Sequence, residues 1–196
     1  MGKTTDTRER ILDTAEQLFA RYGYAATSIT DIADKVGIRG PGVYKHYRNK
    51  LHIYECVLAR LFDPLHDVIE KLSHGDTPED MMRQIEAVLS NHAEHPNMAK
   101  LIQHATLAND ETLKILADKW YRPFFSYISQ LAETSEKSWI NIPSVMTFHC
   151  MILGYITLAP LHARIFNLDP LCEGEVQNQL DFQQKLLDMI GSESVA

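Results

Sequence analysis

Residues 28–50 read SITDIADKVGIRGPGVYKHYRNK, and their spacing decides how the rest of the chain is to be read. Ser28 is a good N-cap, Asp31 falls three places on beside the positive end of a helix dipole, and Ile29, Ile32, Ala33 and Val36 make one apolar face. Gly37 supplies the left-handed residue that ends such a helix. After the turn Gly37-Ile38-Arg39, a second short helix can begin at Gly40-Pro41, where proline is tolerated in the first turn, and run through Val43, Tyr44 and His46. Two short helices on a tight, glycine-bearing turn predict a helix-turn-helix, which lays its second helix in a DNA major groove while the first crosses the backbone. At its leading end, Arg39-Gly40-Pro41-Gly42, the two glycines carry no side chain, so the backbone can approach closely, and Arg39 can reach a guanine edge or a phosphate. Lys45 and His46 project one turn further along, Tyr44 and Lys50 suit phosphates by type, and Ser28 offers a hydroxyl and free N–H groups at a helix N-terminus.

Working outward, helical periodicity recurs from end to end, with no sustained period-two alternation. Before the motif, Ile11, Leu12, Ala15, Leu18, Phe19 and Tyr22 form a helical stripe, with Asp6 and Glu9 as a capping-box-like start and Gly23 as its stop. After it, a long helix from Asn49 or Lys50 carries Leu51, Tyr54, Leu58, Leu61, Phe62, Leu65 and Ile69, and Pro64 is expected to kink or divide it. A polar loop at Ser73–Asp76 precedes Thr77-Pro78 and a helix with Met82, Ile85, Val88 and Leu89; Pro96 opens another with Met98, Leu101, Ile102 and Ala105. An aromatic-rich stripe follows, Leu113, Leu116, Trp120, Tyr121, Phe124, Phe125, Ile128 and Leu131, with Pro123 as an irregularity. Two more helices, Pro143 to about Ile165 and about Glu175 to Ile190, complete an all-α fold of about nine helices. The expected division is a three-helix DNA-binding domain over residues 1–50 and a larger helical domain over 51–196.

Composition first seems to oppose this. The 196 residues carry 19 basic and 26 acidic side chains, a net charge of −7. Split at Lys50, the balance is nine basic against six acidic before it, or +3, and ten against twenty after it, or −10. Four of the nine basic residues lie between Arg39 and Lys50, where there is no acid. A locally basic element on an acidic protein is the asymmetry of a nucleic-acid face.

Other chemistries find little support. Three widely spaced cysteines, Cys56, Cys150 and Cys172, form neither a disulfide framework nor a CxxC motif, and a reducing, cytoplasmic setting is expected. The first residues are charged where a signal peptide needs an apolar run. From Pro143 to Ala163 the chain is apolar over about a bilayer's thickness, but His149, Pro160 and His162 interrupt it, so a helix buried in a core or subunit interface is expected rather than a membrane span. His92, His95 and His104 lack the partners of a metal set, Cys150 beside His149 reads as packing, and no nucleophile, phosphate-loop or dinucleotide motif occurs. No metal, cofactor or enzymatic activity is expected.

The quoted segment resembles the DNA-binding signature of the TetR family of bacterial transcriptional regulators, through Thr27-Ser28, Asp31-Ile32-Ala33, the Gly37 turn, Tyr44, His46 and Asn49-Lys50. The resemblance covers about a quarter of the chain. It implies a dimer that binds double-stranded operator DNA, with contacts at Thr27, Ser28, Arg39, Gly40, Pro41, Gly42, Tyr44, Lys45, His46 and Lys50. Two departures stand out: Gly42 replaces the usual Ser, Thr or Ala, and Tyr47 replaces the usual Phe, which could bring a hydroxyl near the DNA backbone. The resemblance also implies a ligand pocket and dimer interface in the later helices.

On residue type, Trp120, Tyr121, Phe124, Phe125, Phe148, Met151 and Tyr155 suit an apolar lining, with Gln103, His104, Asn141, His149 and Cys150 as polar groups that could orient a ligand. Arginine and lysine are sparse between Met98 and Tyr155, which favours a small apolar or aromatic ligand. The last two helices are the expected homodimer seam, with Val176, Leu180, Phe182, Leu187 and Ile190 on the final one. The expectation is a ligand-responsive repressor; the alternative is a DNA-binding dimer whose larger domain binds a protein or only dimerises.

Overall fold

The computed structural model describes residues 6–72, 77–134 and 141–193, and every regular element among them is helical. Helix α1 (Thr7–Tyr22) starts under the Asp6 carboxylate, which accepts from the Arg8 N–H without a reciprocal bond from Glu9, and stops at Gly23 with φ +82°. Helix α2 (Ile29–Val36) begins in a complete capping box: the Asp31 N–H donates to Ser28 Oγ at 3.1 Å and the Ser28 N–H to Asp31 Oδ2 at 2.8 Å. It ends where Gly37 turns left-handed at φ +79°, letting the Ile38 N–H reach the Ala33 carbonyl at 3.0 Å. Helix α3 (Gly40–Val43) is shorter than its spacing suggested. Tyr44–His46 instead form a turn, with the His46 and Tyr47 N–H groups both donating to the Val43 carbonyl at 3.0 Å. Two glycines and a proline in four residues leave little propensity to carry the helix further.

Helix α4 (Lys50–Leu72) runs unbroken through Pro64, whose ring is exposed, so the expected division does not occur. A capping box between Thr77 and Asp80 starts α5 (Pro78–Glu94), and α6 (Pro96–Ala108) ends at left-handed Asn109. From Glu111 to Thr134 the chain is one rod in three parts, α7 (Glu111–Leu116), a π turn (Ala117–Tyr121) and α8 (Arg122–Thr134). The irregularity signalled by Pro123 is this π turn, in which the Arg122 N–H reaches back to the Ala117 carbonyl. Helices α9 (Ile142–Phe166) and α10 (Glu173–Glu193) complete the fold; with the rod counted once, the described residues hold the nine helices expected. The loop expected at Ser73–Asp76 and the side chains of Ile128 and Leu131 lie outside what is described.

Two apolar cores result. The first joins Ile11, Ala15 and Phe19 of α1 to Ile32 and Val36 of α2, Val43 of α3, Ile53, Val57 and Leu58 of α4, Leu101 of α6 and Trp120 of the π turn. It continues across residue 50, so packing does not divide where the charge does. The second joins Ile85 and Leu89 of α5 to Ile152 and Ile156 of α9 and Leu180 and Leu187 of α10. Helix α9 is long and apolar enough by length and composition to cross a membrane, yet only 28% of its most apolar window is buried within the chain. Its other face leaves Ile142, Met146, Leu158, Leu161 and Ile165 exposed.

Tyr47 closes the first core rather than facing outward. It is 2% exposed, and its hydroxyl donates to the Arg8 carbonyl at 3.0 Å, fastening the loop after α3 to the start of α1. Tyr47→Phe should therefore lower unfolding free energy by about 0.5–1.5 kcal/mol in urea titrations while leaving the DNA affinity of folded protein unchanged.

Candidate nucleic-acid interface and ligand cavity

The capping box and the Gly37 turn hold α2 and α3 at a fixed angle, and what they present outward is basic. Arg39, Tyr44 and Lys45 are exposed, and among the described residues no ion pair or side-chain hydrogen bond engages them. Gly40 has open space where a Cβ would stand, and at Gly42 a Cβ would meet only the Ile38 side chain at 3.6 Å, an ordinary contact. The leading edge of α3 is thus bare by residue choice, not because the core forbids a larger residue. Arg10 supports the pair from behind, its guanidinium donating to the Val36 carbonyl at the end of α2.

Three expected contacts have other employment. Thr27 is 2% exposed and its hydroxyl donates to the Gly23 carbonyl at 2.9 Å, which turns it away from any DNA surface. Ser28 gives its hydroxyl proton to Asp31 Oδ2 at 2.6 Å, leaving only the backbone N–H groups of the first turn for a phosphate. Lys50 donates to the Tyr24 and Thr27 carbonyls, both at 2.9 Å, with its ammonium 4.1 Å from the Tyr24 ring centre. It pins the α1–α2 loop onto the start of α4 and keeps one N–H for other use.

Further along α4, the Arg60 guanidinium bridges two carboxylates of α1, Asp13 at 2.6 Å and Glu16, while Glu16 also accepts from Asn97 of α6 at 3.0 Å. Lys50 and Arg60 together make α4 move with the DNA-facing module or not at all.

The same helix forms one wall of an apolar cavity. Phe62, Leu65, His66 and Ile69 of α4 face Val88 and His92 of α5, Trp120 and Tyr121 of the π turn, Phe124 of α8 and His149 of α9. A second lobe shares Val88, Phe124 and His149 and adds Phe125, Phe148, Ile85 and Ile152. The lobes are narrow, about 40 and about 50 Å³. Of the residues expected to line a pocket, Trp120, Tyr121, Phe124, Phe125, Phe148 and His149 are brought together. Gln103 is exposed on α6, and His104 lines a separate groove beside Gly23 and Tyr24. Met151 packs in the second core, and the Tyr155 hydroxyl ties α9 to the Pro170 carbonyl, so neither lines the cavity. Asn141 caps α9 and Cys150 is exposed. The α4 and α5 lining was missed, because periodicity shows that a face is apolar without showing what it faces.

The polar members of the wall are held neutral. Burial pulls His149 down to about 4, and its Nε2 lies 3.3 Å from the Tyr121 hydroxyl. Burial likewise lowers His66 and His92 and raises Tyr121. The Trp120 indole N–H donates to Asp63 at 2.7 Å. Among the described residues, no group of three or more His, Cys, Asp or Glu could hold a metal ion.

These features define an all-α protein with an N-terminal helix-turn-helix carried on a cavity-bearing helical body. The profile of the family described as "Bacterial regulatory proteins, tetR family" matches residues 11–57. The chain belongs to the TetR family. It is 32% identical over 75 residues to the HTH-type transcriptional regulator TtgR of Pseudomonas putida, a match covering 38% of this chain and 34% of that one. With the HTH-type transcriptional repressor KstR2 of Mycobacterium tuberculosis it shares 25% identity over 147 residues, 72% of this chain and 66% of the relative. The matched stretches thus span from about a third to just under two thirds of these relatives' lengths. Across nearly the whole chain the fold is that of two solved structures. One is the ketosteroid transcriptional regulator KstR2 of Mycobacterium tuberculosis, with TM-score 0.68, 18% identity and coverage of 95% of this chain and 96% of that one. The other is the fatty acid degradation regulator FadR of Bacillus halodurans, with TM-score 0.60, 17% identity and the same coverage.

The buried histidines make stability depend on pH. An ordinary imidazole titrates near 6.5 and folded His149 near 4, so acid protonates the unfolded chain first. The stability tied to this residue is whole above pH 6.5 and lost as pH falls toward 4, by about 3 kcal/mol at the limit. Urea unfolding at pH 7 and pH 5 should show the loss, and His149→Phe should flatten it in part, since His66 and His92 act in the same direction.

Proposed function

We propose that this chain is a homodimeric transcriptional regulator whose hold on operator DNA is released by a small apolar or aromatic ligand. Residues 1–50 would read DNA, and residues 51–196 would sense the ligand and dimerise. The observation that carries the reading is the double attachment of α4: Lys50 and Arg60 bind it to the helix-turn-helix module, while Phe62, Leu65, His66 and Ile69 form a cavity wall. A ligand acts only through the difference in its affinity for two arrangements of the protein. A cavity as narrow as this one favours such a difference, because an occupant must part α4 from α5 and α8, and α4 cannot shift without carrying α1.

DNA binding is tested by titrating the protein against its own upstream DNA at increasing salt. A sequence-preferring, salt-sensitive complex is expected, and its absence would refute the reading. Arg39→Ala should relax preference at one base position at a cost of about 1–3 kcal/mol. Lys50→Ala should weaken binding to all sequences alike and also lower the melting temperature, because two loop carbonyls lose a charged donor.

A dimer is supported by the exposed apolar stripe on α9, joined by Phe182 and Met189 on α10. Two copies paired through these helices would form a four-helix seam and set two α3 helices for half-sites about 34–36 Å apart. Leu161→Glu should convert a dimer to a folded monomer in sedimentation equilibrium and abolish tight operator binding. A wild-type protein that sediments as a monomer would overturn this part.

A further inference from the structure

His92 is the one buried group of the cavity wall whose bonding is incomplete among the described residues. It is 3% exposed, and its Nδ1 lies 2.8 Å from the carbonyl of Val88, one turn back on its own helix. A carbonyl can only accept, so Nδ1 carries the ring proton. Burial keeps the imidazole neutral, which leaves Nε2 as a bare lone pair, and it has no partner. The two ring nitrogens point in diverging directions. With Nδ1 committed to the α5 backbone, Nε2 is turned from that helix and toward the space that the ring lines.

The other polar groups of this lobe are already occupied. The Trp120 indole N–H is donated to Asp63, Tyr121 and His149 face each other at 3.3 Å, and His66 bonds to the Trp120 backbone. Neither lobe includes a lysine, arginine, aspartate or glutamate in its wall. An anion would find no countercharge there, and burying an unpaired charge is far more costly than burying a neutral polar group. An occupant without a donor would leave the His92 lone pair unmet, a penalty of the size that lets a polar group discriminate between ligands of equal shape.

We infer that the cavity selects a neutral, mainly apolar ligand that presents a single hydroxyl or N–H donor to His92 Nε2. This rests on the cavity being the ligand site, and it assigns His92 as the residue that sets ligand chemistry. Its role is thus recognition of a donor, not the ligation of a metal.

The test uses three one-ring probes of similar shape, phenol, toluene and benzoate, titrated into the full-length protein by calorimetry and by Trp120-sensitive fluorescence. Phenol should bind about tenfold tighter than toluene, and benzoate should bind weakest. In His92→Phe the preference for phenol over toluene should vanish while toluene binding persists. Because that variant could repack the cavity, nitrogen-15 histidine spectra of the wild type give a second readout. They should show the Nδ1–H form of His92, with Nε2 shifting on addition of phenol but not of toluene. Equal affinity for phenol and toluene, tightest binding of benzoate, or an unmoved Nε2 would overturn the assignment while leaving ligand sensing intact. Failure of all three probes to bind would remove both.

Discussion

Helix α4 has no free side on which a displacement could be absorbed. Toward its N-terminal end Ile53, Val57 and Leu58 are fully buried beneath α1 and α2, and Lys50 and Arg60 fasten it there by charged hydrogen bonds. Toward its C-terminal end Phe62, Leu65 and Ile69 belong at once to the first core and to the cavity wall. Interiors packed this densely pass strain along rather than dissipate it. The Arg60 bridge is partly solvated, so it contributes little stability on its own. What it contributes is registry: it fixes which turn of α4 lies against which turn of α1, and Asn97 extends that alignment to α6.

Much of the reading module was legible in the sequence because its determinants are local. Ser28, Asp31 and Gly37 act within a few residues of themselves, and the cap and turn they specify are the ones that form. What was not legible depended on distance. Thr27, Ser28 and Lys50 have the residue types that contact phosphates, but Thr27 bonds to Gly23, the Ser28 hydroxyl to Asp31, and Lys50 to carbonyls 23 and 26 residues earlier. Tyr47 shows the same effect in reverse: a hydroxyl that could have faced DNA is drawn inward by a carbonyl 39 residues away. In the cavity, aromatic content pointed to Trp120, Tyr121 and Phe124, whereas the histidine that completes the wall was weighed only as a metal ligand. Its significance lies in which of its nitrogens is left over, and that is fixed by a bond to its own helix.

Charge and packing partition the molecule differently. The basic excess ends near Lys50, but the first core runs on through α4, α6 and the π turn. A boundary drawn by charge separates the surface that meets DNA from the surface that does not. The boundary drawn by packing lies deeper, between the core that holds the helix-turn-helix and the one shared by α5, α9 and α10. The cavity sits where these two cores meet, since Val88 packs against both.

The π turn at Ala117–Tyr121 adds a constraint of a different kind. Such a turn is a helix holding one residue more than an α turn would, and that surplus sets the phase of everything after it. Deleting one residue there would rotate α8 by about 100° relative to α7 and carry Phe124 and Phe125 off the wall without altering either side chain. In this segment the number of residues is therefore as much a part of the cavity's specification as their identity, and a shortened homologue could keep every aromatic and still have a different pocket.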